Sequence, residues 1–363
     1  MKKTNIEILD DHLRDLSIPF MDISLGDASA PFTISEIENS LVLKVEWGFP
    51  ISRRYEEIMT LLSKHCEILP FFKKVKFIFE QNIRPHSVQS GLKPLSGISN
   101  IISIASGKGG VGKSTIAANL CLALSQQGAK VGILDADIYG PSQPIMLGLE
   151  GEKPISEDGK IIQPLENHGI KVMSIGFLIK NTQPMVWRGP MVTSALNQLL
   201  TSTKWGDLDY LLIDMPPGTG DIQLTISQKV PVSGAIIVTT PQKVSVADAR
   251  KGIEMFKKVN VPILGVIENM STYFCGSCGH EEAIFGPSGG KILSNEYNVP
   301  LLASLPLDKS ISEQSDLGTP SVLAGLGGDI SDCYFDAALA ASCVLASEKR
   351  SYSDVFPEII VEN

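Results

Sequence analysis

Two periodicities divide the chain. SLVLKVEW (40–47) alternates apolar and polar positions as a half-buried strand does, RRYEEIMTLLSKHCEIL (53–69) places apolar residues at helical spacing, and VKFIFEQNI (75–83) alternates again. These segments predict a small α+β module over residues 1–90. HSVQSGLKPLSGISN (86–100) has little periodicity and is rich in Gly, Pro and Ser, so 91–100 reads as a linker. From Ile101 the pattern changes. IISIAS (101–106) is a short apolar strand, KSTIAANLCLALSQQ (113–127) is helical and stopped by Gly128, and KVGILD (130–135) is the next strand. DYLLID (209–214), GAIIVTT (234–240), VPILGVIENM (261–270) and VPLLASLP (299–306) continue the series, with helical segments between several of them. Apolar strands joined by helices predict an α/β fold, a mainly parallel sheet flanked by helices and buried on both faces. That domain is expected to span 101–350, leaving a C-terminal tail at 351–363.

In open α/β sheets ligands bind outside the carboxyl ends of the strands, so the residues just past each strand matter. The first strand leads into SGKGGVGKST (106–115), which fits G-x-x-x-x-G-K-[ST] between a strand and a helix. Gly107, Lys108, Gly109, Gly110, Val111 and Gly112 would form the loop. Its glycines let successive backbone N–H groups face phosphate oxygens, and the adjoining helix adds the positive end of its dipole. Lys113 is expected to reach the β- and γ-phosphates and Ser114 to ligate Mg²⁺, with Thr115 capping or packing. Asp214 ends DYLLID and fits the second-motif carboxylate that holds Mg²⁺ directly or through water. Gly218, in the turn-rich PPGTGD, is placed to offer an N–H to the γ-phosphate, which makes this a candidate switch loop. Asp135 and Asp137 would share one direction if the strand continued through both, and would order metal-bound or attacking water, with Asp137 preferred for the latter. Asn269 is a candidate for presenting its amide to a base edge.

The remaining chemistry is in the cysteines. Cys66, Cys121, Cys333 and Cys343 stand singly in apolar or helical patterns and read as small buried hydrophobes. Cys275 and Cys278 form a CxxC pair in the Gly-rich segment STYFCGSCGHEEAIFG (271–286). Two thiolates cannot complete a four-coordinate site, which leaves more ligands from this chain, a redox dithiol, or two ligands from a second copy. The last fits best, because there is no second CxxC and a two-fold dimer would assemble a Cys₄ set at its axis. Either a [4Fe–4S] cluster or zinc satisfies such a set, and His280 lies close by.

Composition narrows the class without choosing the function. The 363 residues are 43% hydrophobic and 20% charged, as expected of an ordinary globular protein, and no apolar run reaches spanning length. A formal net charge of -9 opposes a surface devoted to nucleic acid, and the acidic tail SYSDVFPEIIVEN lacks the pattern of a membrane-binding amphipathic helix. The first residues do not form a secretory signal, so a cytoplasmic location, without membrane or nucleic-acid partners, is expected.

GKGGVGKST, with its early lysine, resembles the deviant phosphate loop of the SIMIBI-class ATPases. Together with GILDADIYGPS, VWRGPM, DYLLIDMPPGTGDIQLT, IVTTPQKVSVADARKG, GVIENMS and FCGSCGH, in that order, it is similar to the Mrp/ApbC family of iron–sulfur cluster carriers. The resemblance runs from about Gly97 to Thr319. It implies a homodimer that binds ATP and Mg²⁺ between subunits and a [4Fe–4S] cluster bridged by Cys275 and Cys278 of both copies. It also implies transfer to apo iron–sulfur proteins, exchange with cluster-assembly scaffold proteins, and slow ATP hydrolysis as the switch. Lys108 would then act in trans on the partner's nucleotide, so that ATP binding and dimer geometry become coupled. The N-terminal module departs from the better-defined members, with neither their acidic-proline opening nor a motif cysteine. The competing reading is a partitioning or positioning ATPase with structural zinc at the CxxC pair.

Overall fold

The computed structural model describes residues 4–18, 23–26, 31–37, 40–67, 74–156, 159–178, 189–324 and 329–350. The tail expected at 351–363 and the first part of VWRGPM lie outside the described residues.

The N-terminal module opens on helix α1 (Asn5–Arg14), whose start is fixed by a capping box: the Thr4 hydroxyl accepts from the Glu7 N–H, and the Glu7 carboxylate accepts from the Thr4 N–H. Strands β1 (Phe32–Ile37), β2 (Ser40–Trp47) and β3 (Val75–Gln81) form one sheet, β2 antiparallel to β1 and parallel to β3. Helix α2 (Tyr55–Glu67) connects β2 to β3. The alternation read in SLVLKVEW is realised: Leu41, Leu43, Val45 and Trp47 are buried with Leu9, Leu13, Ile58 and Leu62.

The main domain contains strands β4 (Ile98–Ser106), β5 (Val131–Asp135), β6 (Leu165–Asn167), β7 (Ile170–Ser174), β8 (Leu208–Asp214), β9 (Gly234–Thr239), β10 (Ile263–Glu268) and β11 (Leu301–Ser304). Their order is β11-β10-β9-β4-β8-β5-β7-β6, and every pairing is parallel except β6 with β7. Helix α3 (Lys113–Gln126) follows β4. Short α4 (Gln143–Met146) follows β5, and α5 (Gly189–Ser202), α6 (Asp221–Lys229), α7 (Lys243–Lys258) and α8 (Gly289–Tyr297) form a succession of neighbours. Helices α9 (Lys309–Asp316) and α10 (Asp329–Ala346) are the last helices among the described residues, α10 against α3. The central strands are buried along nearly their whole lengths, which explains their predominantly apolar character.

Strand β4 begins at Ile98, inside the expected linker. Asn100 looked like a linker residue because it is polar, yet it is buried: its side-chain oxygen accepts from the backbone and ring of His86, and its nitrogen donates to the Arg84 and Asp209 carbonyls. A fully paired amide is tolerated where a bare one is not.

Helix α10 belongs to two cores. Tyr334, Ala337, Ala338, Ala341 and Leu345 pack into the main domain, whereas Leu339, Cys343 and Ala346 complete the core of the N-terminal module. Arg53 and Arg54 pair with Asp332 and Asp336, and the Arg53 guanidinium lies 3.8 Å from the centre of the Phe335 ring. Gln81 donates to the Gly128 carbonyl at 3.0 Å, just past the end of α3. The module is therefore docked at the far end of the helix that begins with Lys113, about 20 Å along its axis from the phosphate loop. Among the described residues, no helix is long and apolar enough to cross a membrane.

Candidate nucleotide site and cysteine hairpin

The loop after β4 is held from two sides. A Cβ on Gly107 would overlap the main chain of Asp248 and Ala249, so α7 approaches the loop closely enough to require glycine. Gly112 has φ +83°, the left-handed region, and a Cβ there would overlap the Asn269 amide nitrogen. That nitrogen donates to the Val111 carbonyl at 2.9 Å. Among the described residues, the N–H groups of Gly109 to Ser114 have no acceptor within the chain. A row of unpaired donors at the start of a helix is suited to phosphate.

Lys113 is buried and ion-paired with the fully buried Asp214, and its ammonium also donates to the Ser114 hydroxyl at 3.2 Å. Sheet register explains the meeting. Asp214 lies opposite Ile104 on β4 and Asp135 on β5, at the strand end from which the loop departs. Thr115 is half-buried, and its carbonyl accepts from Asn119. The Ser114 hydroxyl and the Asp214 carboxylate, both bonded to Lys113, are oxygen donors that fit a hard cation such as Mg²⁺, and Asp137 Oδ1 is buried without a partner.

Three of the sequence expectations meet a different geometry. Strand β5 ends at Asp135, so strand alternation does not carry through to Asp137. Asp135 is an anchor and does not face open water. Its Oδ1 accepts from the Asp137 N–H, and its Oδ2 accepts from the N–H groups of Ser142 and Gln143 and from the Ser174 hydroxyl. Burial and the neighbouring Asp214 carboxylate raise its pKa to about 7, against those donors. Burial likewise raises Asp137, while Lys113 opposes the shift. Gly218 donates its N–H to the Ser106 carbonyl at 3.1 Å, so this donor is held back within the chain. Asn269 donates through its amide nitrogen to the Val111 carbonyl of the phosphate loop, so this amide also braces the loop. Lys108 is exposed and has no ion pair among the described residues, while Ser106 Oγ donates to its carbonyl.

Sequence reasoning missed Gln143. Its side-chain nitrogen donates to the Ser114 carbonyl at 3.0 Å and to Asp214 Oδ2 at 2.9 Å. The only signal available was a polar residue in a turn-rich segment after a strand.

The cysteines lie on a small hairpin that leaves β10. Tyr273 pairs with Glu282 and Phe274 with Glu281. The turn between them is closed by Cys275 N–H to the His280 carbonyl at 2.9 Å and by Gly279 N–H to the Cys275 carbonyl at 2.8 Å. Cys275 is half-buried, Cys278 and His280 are exposed, and Phe274 is 51% exposed beside them. The N–H groups of Ser277 and Cys278, followed by the Cys278 thiol, hold the Cys275 thiol below its ordinary pKa. The same donors would stabilise a metal-bound thiolate. Among the described residues, no group of three or more Cys, His, Asp or Glu side chains is placed to hold a metal ion, so the pair is incomplete as a four-coordinate site. Cys66, Cys121 and Cys343 are buried as expected, and Cys333 is half-buried.

A glycine loop between a central parallel strand and a helix, with a buried Lys113–Asp214 pair at its mouth, defines a P-loop NTPase. Residues 97–339 match the family model described as NUBPL iron-transfer P-loop NTPase, and the chain belongs to that family. A Pseudomonas fragi protein named iron-sulfur cluster carrier protein is 57% identical over 260 residues, 71% of this chain and 91% of its own length. The protein of the same name from Escherichia coli K12 is 45% identical over 312 residues, 86% of this chain and 85% of its own. Mouse iron-sulfur cluster transfer protein NUBPL is 50% identical over 248 residues, 68% of this chain and 77% of its own. Among solved structures, a nucleotide-binding protein from Archaeoglobus fulgidus in complex with ADP is 41% identical with a TM-score of 0.56, covering 62% of this chain and 88% of that one.

Proposed function

We propose that this chain is an ATP-dependent carrier of [4Fe–4S] clusters, working as a homodimer in the cytoplasm. The observation that carries this reading is an exposed CxxC hairpin, two ligands short of a site, at the same carboxyl end of the parallel sheet as the phosphate loop. The names of the relatives support a cluster as the cargo. Cys275 and Cys278 of two copies would supply four thiolates, and recipient apo-proteins and assembly scaffolds would exchange the cluster at this exposed tip.

Lys113, Ser114 and Asp214 hold the nucleotide and Mg²⁺ in this reading. Lys113 leaves Asp214 for the phosphates, exchanging one buried anion for another, so the charge remains paired throughout. Lys108, whose ammonium has no ion pair among the described residues, reaches the neighbouring subunit's nucleotide. Asp137 orients the attacking water. Gly218 moves its N–H from the Ser106 carbonyl to the γ-phosphate, and loss of that phosphate on slow hydrolysis returns it.

Anaerobic reconstitution with iron and sulfide tests the reading. It should give about four irons per dimer and a broad absorption band near about 400 nm. Replacing Cys275 or Cys278 with serine should abolish both. Zinc alone in freshly isolated anaerobic protein, with no cluster uptake on reconstitution, would refute the carrier function.

A further inference from the structure

The loop after β5 concentrates unsatisfied polar atoms. Asp137 Oδ1, Ser142 Oγ and Gln143 Oε1 are all buried and lack a hydrogen-bond partner. A buried oxygen without a partner costs free energy unless a ligand, an ion or its water completes it. Gln143 is the most constrained of the three, with 0% of its surface exposed. Its backbone N–H donates to Asp135 Oδ2 at 3.1 Å, and its side-chain nitrogen donates to the Ser114 carbonyl and to Asp214 Oδ2. One residue thus joins the strand-end anchor, the first turn of α3 and the second-motif carboxylate. Both amide hydrogens are committed, so only the oxygen remains to act.

We propose that Gln143 is a positioning residue of the cation site: its nitrogen fixes the orientation of Asp214, and Oε1 accepts a hydrogen bond from a water of hydration of Mg²⁺. This inference rests on the reading of the loop as a Mg²⁺–nucleotide site. Mg²⁺ keeps several of its waters when bound beside phosphates, and those waters need acceptors. A neutral amide supplies one without placing a third negative charge beside Asp135 and Asp214. Gln143 should therefore affect the part of nucleotide affinity that depends on Mg²⁺ and leave the part that does not.

The test titrates ADP into the full-length chain by calorimetry, with EDTA and then over a series of Mg²⁺ concentrations. Gln143→Leu should bind ADP in EDTA within about twofold of the unaltered chain, while the Mg²⁺ concentration giving half of the strengthening rises about tenfold, the worth of one hydrogen bond in such a site. Gln143→Glu keeps an acceptor but replaces the donor to Asp214 with a like charge, so its Mg²⁺ midpoint should rise as well. Raised Mg²⁺ midpoints in both variants with ADP affinity in EDTA kept support positioning, because a structural defect would weaken binding with and without Mg²⁺ alike. Equal loss of ADP affinity with and without Mg²⁺, or unchanged midpoints in folded variants, would overturn the role of Gln143 and leave the nucleotide site standing. Failure of the unaltered chain to bind ADP at all would overturn both.

Discussion

The contact between Asn269 and the phosphate loop can be tested by a double-mutant cycle with Gly112. Gly112→Ala forces a Cβ into the left-handed region, which costs about 1 kcal/mol. It also displaces the Asn269 amide from the Val111 carbonyl, losing a buried hydrogen bond worth about 1 kcal/mol and leaving that carbonyl unpaired at a similar cost. The expected total is about 3 kcal/mol. Asn269→Ala loses the same hydrogen bond and should cost about 1–2 kcal/mol. The hydrogen bond is counted in both single variants but is lost only once in the double, where the added methyl also finds space. The double variant should therefore fall short of the additive sum by about 1 kcal/mol or more. Urea unfolding of the four proteins measures this, and ADP titration reports whether the loop keeps its shape. Additivity within about 0.5 kcal/mol, the behaviour of independent sites, would refute the claim that Asn269 holds the loop.

Other parts of the structure carry their own expected outcomes. Lys108→Ala should lower ATP turnover while leaving nucleotide binding to one subunit intact, and unchanged turnover would remove its role in trans. Leu339→Ala opens a cavity in the core that α10 shares with the N-terminal module; it should cost about 3 kcal/mol in urea unfolding and leave ADP affinity unchanged. Iodoacetamide at neutral pH should modify Cys275 and Cys278 in the cluster-free protein but spare Cys121 and Cys343, which are buried, with burial pushing the Cys343 thiol up to about 12; peptide mass mapping reads this directly. Burial lowers the pKa of His86, so the folded protein takes up this proton less readily than the unfolded chain. Stability from this group is complete above the unfolded value of about 6.5 and declines as pH falls through it. His86→Gln should flatten the fall in thermal midpoint between about pH 7 and about pH 5, and an unchanged slope would show that His86 is not its source.

The main sheet was legible because its strands are buried on both faces, so each announces itself as an apolar run ending in functional residues. Edge elements were not. Strands β6 and β7 are short, and β6 is only partly buried, which leaves it no comparable apolar signal. Strand β1 exposes most of its length and lacks the alternation of β2. Helix α10 is apolar nearly all round because it serves two cores, a fact that its sequence alone does not resolve into two partners. At the site, the local motif picked out Lys113, Ser114 and Asp214, which the fold brings into contact. The bonding partners of Asp135, Gly218 and Asn269 depend on which loops the fold brings beside them. Gln143 was invisible for the same reason: its function comes from reaching Ser114 and Asp214, residues far from it in sequence but adjacent across β5, β8 and α3.

Asn269 also ties the two candidate sites together through the main chain. It is the first residue after β10, and its backbone N–H donates to the Thr239 carbonyl at the end of β9 while its side chain holds Val111. The chain then passes through Ser271, whose N–H and hydroxyl both bond to the Leu305 carbonyl, and through Thr272, whose carbonyl accepts from Leu307, before entering the hairpin. The root of the cysteine hairpin is thus laced to the end of β11 on one side and to the phosphate loop on the other. In the proposed carrier, in which nucleotide state governs the cargo, this packed and hydrogen-bonded connection is the route by which the loop would bias the hairpin.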